Sequence, residues 1–288
     1  MKNINKPLFD QWLVGVTDSE GTFGLYNQNG KWNLVYKITQ SNYNTRMLYY
    51  IKKQLGVGSI VTSGKISSFF LKNINNINKY IIPIFDKYAL LTKKQFNYLN
   101  FKQAFLILND VNKTKQEKDR KLFYLKNKRL PLNYVSSILL NNLSNLEIKS
   151  VNEIKNIISK YWLVGFIEAE GSFYLVSKSD VRIVHGFTIT QKLEKILLNG
   201  IKRILHILTK VVYKLKHNYY NINTTNSRAI ENMILYFQNT MKGMKSLEYK
   251  IWSRSYNKDK GNYQKLLSII NIIRNMKINK SQRLPLLL

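Results

Sequence analysis

The sequence contains no cysteine and only three histidines, His185, His206 and His217. Without cysteine the chain can form neither a disulfide framework nor a thiolate metal site. No two histidines stand at the short spacing that a zinc site typically uses, so zinc is not expected. Acidic residues are also scarce, with 16 Asp and Glu among 288 residues. The positions of these few carboxylates are therefore informative.

Basic residues, in contrast, are abundant. Lys and Arg number 46, which gives a formal net charge of +30 at pH 7. A folded chain with this excess repels itself and needs an anionic partner. Nucleic acid is the expected partner, with a ribosomal-type role or attachment to a membrane surface as alternatives. No apolar run reaches the ~18 residues of a membrane span, so we expect no membrane insertion.

The N-terminal segment shows no recognisable targeting signal. Residues 1–6 lack the apolar stretch of a secretory signal, and their Asn-rich, Arg-poor start is unlike a transit peptide. The heavy use of Asn, Lys, Ile, Tyr and Phe is typical of an AT-rich coding genome. We therefore expect a mitochondrial protein that is synthesised inside the organelle and needs no targeting peptide.

The chain contains an internal repeat with an offset of about 150 residues. WLVGVTDSEGTF at 12–23 and WLVGFIEAEGSF at 162–173 share seven of twelve residues. Further along, KITQ at 37–40 matches TITQ at 188–191, and KQFNY at 94–98 matches KSLEY at 245–249. A period of this length is that of a domain, so the chain holds two copies of one unit.

Each copy predicts the element order α-β-β-α-β-β-α. In the first copy, an apolar stripe at helical spacing starts after Pro7 and stops at Gly21, and two alternating segments follow around a turn signal at 28–30. The later elements are predicted as helices at 43–55 and 192–208, strand pairs at 57–72 and 210–224, helices at 74–88 and 226–239, and a last helix at 93–108. An antiparallel sheet with one apolar face buries that face under helices.

We therefore assign the chain to the α+β class, as two pseudo-symmetric units, each a four-stranded antiparallel sheet with helices on one face. The first domain is predicted at 1–110. Residues 111–158 do not repeat and are predicted to be a linker with some helix. The second domain is predicted at 159–288 and includes a C-terminal helix at 261–276. His185 falls on the apolar face of its strand and is expected in the core.

Two carboxylates lie in the last turn of each first helix: Asp18 with Glu20, and Glu168 with Glu170. A helix C-terminus carries partial negative charge, so an anion there costs roughly 0.3–1 kcal/mol. The same placement occurs in both repeats of an acid-poor chain. We infer that a cation compensates the four acids; the alternative is that they are solvated and neutralised by nearby Lys and Arg.

Oxygen ligands of this kind suit Mg²⁺ or Mn²⁺, which bind through one or two carboxylates, waters and a substrate phosphate. A divalent ion beside a phosphodiester can activate a water and stabilise the leaving oxygen. Two such sites related by a pseudo-twofold axis would face opposite strands of a duplex. Gly15 and Gly165 stand where two helices could cross closely.

A glutamine and a lysine also recur at matching positions of the two repeats. Gln40 and Gln191 end the second strand, where an amide can hold a water. Lys94 and Lys245 stand at the start of a later helix, where an ammonium can offset phosphate charge. Lysines in so basic a chain are otherwise solvated, and only the registration of the repeats distinguishes these two.

Residues 13–21 and 163–171 both match a nine-residue family signature. On these motifs the sequence resembles the LAGLIDADG homing endonucleases of the single-chain, two-motif type. The resemblance covers both repeats and therefore most of the chain. It implies a site-specific DNA endonuclease that acts as a monomer and makes a metal-dependent double-strand break with short 3′ overhangs.

The resemblance also implies roles for individual residues. The two motif helices would pack together at the domain interface. Glu20 and Glu170 would bind the metal at the scissile phosphates, with main-chain carbonyls near Ser19 and Ala169. The glutamines and lysines named above match positions that hold a metal-bound water and a basic group.

In the implied architecture, the two sheets form a saddle over the DNA major groove, and outward strand residues contact DNA. By alternation these are Thr22, Gly24, Tyr26, Gln28, Asn33, Val35, Lys37, Ser172, Tyr174, Val176, Lys178, Arg182, Val184, Gly186, Thr188, Lys214, Lys216, Asn221 and Asn223. Arg, Lys, Asn and Gln can read base edges, whereas most other Lys would hold phosphate.

Two alternative functions stay open at this stage. An RNA maturase would bind its own intron RNA and assist splicing, with or without cutting DNA. A plain DNA-binding regulator would need no carboxylates in its DNA-facing centre, where they repel phosphate.

Overall fold

The computed structural model describes residues 6–143, 145 and 149–278. The first helix, α1, spans Lys6–Glu20, and its counterpart α9 spans Lys160–Glu170. Pro7 lies in the first turn of α1, where a main-chain N–H would have no partner within the helix. Ser159 caps α9, because its hydroxyl accepts a first-turn N–H at 3.3 Å. The first helix therefore begins where the sequence predicts.

The first sheet is antiparallel, with the strand order β1-β2-β4-β3. Its strands are β1 (Gly21–Gln28), β2 (Lys31–Ser41), β3 (Ser59–Ser63) and β4 (Ile66–Leu71). The turn between β1 and β2 has φ values of 52° at Asn29 and 74° at Gly30. Two positive φ values are what a type I′ hairpin turn requires, so the Asn-Gly pair fixes this hairpin.

The second sheet repeats this topology in the order β5-β6-β8-β7. Its strands are β5 (Ser172–Ser179), β6 (Arg182–Gln191), β7 (Val212–Lys214) and β8 (Tyr219–Thr224). His185 lies on the inner face of β6 and is 3% exposed, with Nε2 2.8 Å from the hydroxyl of Ser255. The prediction of a core histidine is confirmed.

Helices cover the inner face of each sheet. In the first repeat they are α2 (Thr45–Leu55), α3 (Ile74–Asn76), α4 (Ile82–Lys87) and α5 (Lys94–Asn109). In the second they are α10 (Lys195–Ile204), α11 (Ser227–Phe237), α12 (Lys245–Asp259) and α13 (Tyr263–Ile278). The predicted α+β class with two four-stranded sheets is confirmed.

The helix predicted at 74–88 is interrupted by a π-helical turn at Ile77–Ile81. Pro83 stands two residues after this turn and has no N–H to donate to it. Within the described residues, no helix is long and apolar enough to cross a bilayer.

In its described residues, the segment between the repeats contains the helices α6 (Lys115–Asn127), α7 (Ser137–Leu143) and α8 (Val151–Ile157). Helix α6 packs on α5 of the first repeat, whereas α7 and α8 pack on α10 of the second. This segment therefore adds structure to both repeats. The exact domain boundaries stay a prediction.

One hydrophobic core runs through both repeats. Trp12 and Leu13 of α1 and Trp162 and Leu163 of α9 belong to the same buried cluster, and none is more than 4% exposed. The pairing of α1 with α9 therefore joins the two units into one body.

Candidate active site

Helices α1 and α9 cross at two glycines, as predicted. A Cβ atom on Gly15 would collide with the carbonyl oxygen of Trp162, and one on Gly165 would collide with that of Trp12. The colliding atoms belong to the main chain, which cannot move aside as a side chain can. Glycine is therefore required at both positions, and the close crossing brings the C-terminal ends of the two helices together.

Asp18, in the last turn of α1, is buried and holds the loop before α5. Its carboxylate accepts the main-chain N–H groups of Leu91 at 2.8 Å and Thr92 at 3.0 Å, and the Thr92 hydroxyl at 2.6 Å. The indole of Trp162, from the other repeat, donates to it at 2.8 Å. Burial raises the pKa of Asp18 to about 6, against the opposing effect of these hydrogen bonds.

Glu168 has the same role in the second repeat. It accepts the main-chain N–H groups of Lys242 at 2.7 Å and Gly243 at 2.6 Å, and the indole N–H of Trp12 at 2.5 Å. Asp18 and Glu168 are therefore compensated by hydrogen-bond donors. The inference that a cation compensates all four helix-end acids is corrected for these two.

Glu20 and Glu170 are only partly buried and differ from their neighbours in this respect. Burial raises the pKa of both carboxyls, and the nearby Glu170 carboxylate raises that of Glu20 further. Lys94 lowers the pKa of both by attraction. Two acids that repel each other at an opening in the surface form a centre of negative potential, which attracts cations.

Two cavities flank this centre, and each combines residues of both repeats. The first, the Glu20 cavity, is lined by Glu20, Gln40, Asn44, Ala169, Lys245 and Glu248, with Thr39, Ser41, Tyr43, Ile66, Glu168 and Met244. The second, the Glu170 cavity, is lined by Glu170, Gln191, Ser19, Lys94 and Glu194, with Asp18, Thr92, Lys93, Thr190, Lys192 and Tyr219. All predicted catalytic residues thus lie in the two cavities, and each predicted lysine shares a cavity with the other repeat's glutamate.

The two glutamines are held differently. The amide oxygen of Gln40 accepts from Asn44 at 2.9 Å, while its buried Nε2 has no hydrogen-bond partner among the described residues. The side chain of Gln191 is hydrogen-bonded to Glu170 and lowers the pKa of that carboxyl. An unpaired buried N–H is costly, so Gln40 offers a donor to a ligand in its cavity.

The two lysines are the first residues of α5 and α12. The ammonium of Lys94 donates to the carbonyl of Gly21, and burial lowers its pKa although Asp18 and Glu20 act in the opposite direction. The ammonium of Lys245 lies 3.6 Å from the Glu248 carboxylate.

The strand register supports the predicted outer face of each sheet. Residues directly opposite each other in antiparallel strands point to the same side. The predicted residues pair in this way: Thr22 with Lys37, Gly24 with Val35, Tyr26 with Asn33, Ser172 with Thr188, Tyr174 with Gly186, and Val176 with Val184. Asn221 and Asn223 pair with Thr190 and Thr188, which places them on the same face.

Several of the predicted contact residues differ from expectation. Lys216 lies in a 3-10 turn, Leu215–His217, and not in a strand, because β7 ends at Lys214. Val35 is only 9% exposed, although it lies on the outer face. A Cβ on its neighbour Gly24 would meet the Tyr26 ring, so that aromatic side chain covers this part of the sheet.

In the second sheet, Gly186 is likewise covered, by the ring of Tyr174. Lys178 lies at an irregularity in the pairing of β5 with β6 between Ser177 and Ser179. These residues stay predicted contacts. At Gly24 and Gly186, we expect the tyrosine ring that covers the glycine to contact DNA in its place.

Two buried acids in the cavities were not singled out from the sequence. Glu194 is 3% exposed and accepts the main-chain N–H of Lys93 at 2.9 Å, and burial raises its pKa to about 8. Glu248 is 2% exposed. The repeat offset of 151 aligns Glu248 with Asn97, so a substitution of amide by acid was the available signal for Glu248. The same offset aligns Glu194 with Tyr43, and only the hydrogen bonds of the folded chain match Glu194 to Asn44.

The donor set of each cavity fits a hard divalent cation. Across the described part of the chain, no three His, Cys, Asp or Glu side chains cluster as a metal site. Each cavity instead combines one partly buried glutamate, Glu20 or Glu170, with a glutamine and a motif residue of the other repeat, Ala169 or Ser19. Mg²⁺ needs only one or two carboxylates, because waters and phosphate complete its shell.

Comparison with known proteins identifies the family. The sequence model described as LAGLIDADG endonuclease matches residues 13–105 and 163–256. The chain belongs to the LAGLIDADG endonuclease family. It is 43% identical over 289 residues to a Schizosaccharomyces pombe protein named "Probable intron-encoded endonuclease Cox1-I1b", covering 96% of this chain and 70% of the relative.

Solved structures of LAGLIDADG proteins share the fold. The homing endonuclease I-GzeII in complex with its DNA target superposes with a TM-score of 0.73 and 22% identity, covering 92% of this chain and 97% of that one. I-SmaMI, bound to an uncleaved DNA target in the presence of calcium ions, superposes with a TM-score of 0.71 and 22% identity, covering 96% and 99%. The predicted family, its two-motif architecture and the class of enzyme, a DNA endonuclease, are confirmed.

Proposed function

We propose that this LAGLIDADG endonuclease makes a site-specific double-strand break in DNA, by metal-dependent hydrolysis at the Glu20 and Glu170 cavities. The observation that carries the proposal is the presence of two cavities that are lined by the same types of candidate catalytic residue. Each cavity combines residues of both repeats. One cavity would act on each strand. We further propose that the two cuts are staggered and leave short 3′ overhangs.

Glu20 and Glu170 would each hold a Mg²⁺ or Mn²⁺ ion, with the main chain near Ala169 and Ser19 supplying further oxygen. The bound ion would supply an activated water and charge for the leaving oxygen. Calcium in the I-SmaMI structure is consistent with a divalent ion in this family.

The other cavity residues would position the reacting groups. The Nε2 group of Gln40 is available to hold a water or a phosphate oxygen. Lys94 and Lys245 would place a positive charge beside the phosphate, which offsets the negative charge that develops on it in the transition state. The carboxylates repel phosphate in the absence of a cation, which makes binding of metal and DNA cooperative.

Double-stranded DNA is the proposed partner, bound on the outer faces of the two sheets. The net charge of +30 suits a long phosphate footprint. Because one chain supplies both cavities, we propose that it acts as a monomer. The intron-encoded description of the fission-yeast relative supports the proposal that it works in a mitochondrion.

Binding of the chain's own intron RNA, as in a maturase, is the second candidate. A separate cavity between α2, α11 and α12 is lined by Arg46, Lys242, Lys250 and Arg254, and the described lining residues include no acid. This cavity could hold phosphate independently of Glu20. Retention of tight RNA binding by a Glu20→Gln variant that also improves splicing would support this role.

The decisive experiment uses a plasmid that carries the uninterrupted gene junction into which the intron would insert. The wild-type protein and Glu20→Gln are incubated with it in Mg²⁺ and in EDTA. We expect a linear product that requires both Mg²⁺ and Glu20. DNA binding without any cut in Mg²⁺ or Mn²⁺ would overturn the proposal and direct attention to the intron RNA.

A further inference from the structure

The two lysines of the candidate active site are anchored by different partners. Lys245 lies 3.6 Å from Glu248, one turn later in α12, and their side chains are only 15% and 2% exposed. Lys94 donates instead to the main-chain carbonyl of Gly21. Lys245 thus has a carboxylate within ion-pair distance on its own helix, whereas Lys94 donates to a neutral carbonyl and is attracted by carboxylates of other elements.

This difference comes from one position at which the two repeats carry different residues. Lys94 and Lys245 both begin their helices, and four residues later Tyr98 and Tyr249 pack on Phe23 and Phe173 at ring distances of 5.3 Å in both repeats. The helices are therefore in register. The position equivalent to Glu248 is Asn97, which is exposed and uncharged.

A buried carboxylate beside Lys245 must affect the interaction between the ammonium of that lysine and a DNA phosphate. Coulomb attraction is stronger between poorly solvated charges than in bulk water. A phosphate in the Glu20 cavity has to compete with Glu248 for the same ammonium. Lys94 is attracted by Asp18, Glu20 and Glu170 and donates to the Gly21 carbonyl, but it has no carboxylate on its own helix that corresponds to Glu248.

The other additional acid does not cancel this difference. Glu194 lines the Glu170 cavity, but its carboxyl accepts the main-chain N–H of Lys93. Because burial raises the pKa of Glu194 to about 8, it is mostly uncharged at neutral pH. Its counterpart Asn44 accepts the equivalent N–H, from Met244, also at 2.9 Å.

We propose that Glu248 is a positioning residue that competes with DNA for Lys245, so that the strand cut in the Glu20 cavity is cut more slowly than the other. This inference rests on the proposed function, because it assigns one strand to each cavity. The two strands are then cut at different rates, although each cavity contains a glutamate, a glutamine and a lysine.

The test measures the cutting rate of each strand in a duplex labelled at both ends, in Mg²⁺. Lys245→Met and Lys94→Met first assign each strand to its lysine. Glu248→Gln keeps the side-chain volume and removes the charge, so we expect about fivefold faster cutting of the Lys245 strand and little change in the Lys94 strand. Asn97→Glu is the matched variant, because it introduces a carboxylate three residues after Lys94 and should slow the Lys94 strand.

A loss of stability would lower both strand rates together, so the ratio of the two rates reports on positioning and not on folding. An unchanged ratio in Glu248→Gln, with the wild type cutting both strands, would overturn the inference and leave the proposed function intact. The absence of any cutting by the wild type would overturn the proposed function itself.

Discussion

The indole N–H of Trp162 donates a 2.8 Å hydrogen bond to Oδ2 of Asp18, which lies 144 residues earlier in the chain. Its counterpart joins Trp12 to Glu168 at 2.5 Å. Each motif helix thus donates a hydrogen bond to the buried acid of the other. The acids in turn hold the loops from which Lys94 and Lys245 begin their helices, so the interface between the repeats also fixes the two lysines of the candidate active site.

Replacement of Trp162 by Phe should lower the free energy of unfolding by about 1–3 kcal/mol, because the buried Asp18 loses a donor. Urea denaturation measures the change. Trp32→Phe is the matched control, since the Trp32 indole donates at 2.7 Å to Asp119, a carboxylate that is only partly buried. Water can replace that donor, so its loss should cost less. Equal costs in the two variants would contradict this account of Asp18.

Alanine at Gly15 should destabilise the chain by about 3 kcal/mol or more, because its Cβ meets main-chain atoms of α9, including the Phe166 nitrogen at 2.9 Å. Thermal unfolding and soluble yield are suitable measurements. Gly200→Ala in α10 is the control: its Cβ would meet the end of the movable Ile158 side chain at 2.7 Å, and alanine favours the helix. A Gly15→Ala variant as stable as Gly200→Ala would argue against the close helix crossing.

Stability should fall as pH rises from about 4.5 to about 8, in part because of Glu194. Its carboxyl has a pKa raised to about 8 in the folded chain against 4.5 ordinarily, so folding takes up a proton within this window. Glu194→Gln removes that proton uptake and should flatten the dependence of unfolding free energy on pH. Asp18, with its pKa raised from 3.8 to about 6, contributes a slope of the same sign over a narrower pH window.

The control for this experiment is Glu231→Gln. Glu231 is exposed, and its hydrogen bond with Tyr256 lowers its pKa, so its contribution has the opposite sign. Identical pH slopes for the wild type and Glu194→Gln would show that Glu194 is ionised in the folded chain at neutral pH.

Glu20→Gln and Glu170→Gln should each abolish the double-strand break and leave DNA binding intact or tighter. Each removes a carboxylate that is needed for a cation and that repels phosphate when the cation is absent. A gel-shift titration in EDTA, set beside the cleavage assay in Mg²⁺, separates the two effects. Weaker binding in EDTA for either variant would mean that the glutamate supports the DNA-binding surface and not only the reaction.

The sequence repeat was sufficient to predict the parts of the site that depend on local pattern. Gly15 and Gly165 were identified from their place in the motif, and the outer face of β2 and β6 followed from alternation. The role of Asp18 was not predictable, because its donors Leu91 and Trp162 are brought to it only by tertiary packing. Lys216 was misplaced because a short strand ends in a turn whose sequence still alternates.

Because each cavity draws its glutamate from one repeat and its lysine from the other, neither repeat alone contains a complete candidate site. A separated first repeat would carry Glu20 and Lys94, which serve different cavities. Recombination of halves between relatives would therefore have to preserve both tryptophan–acid pairs at once. The two repeats therefore depend on each other, because each copy holds residues that complete the cavity of the other.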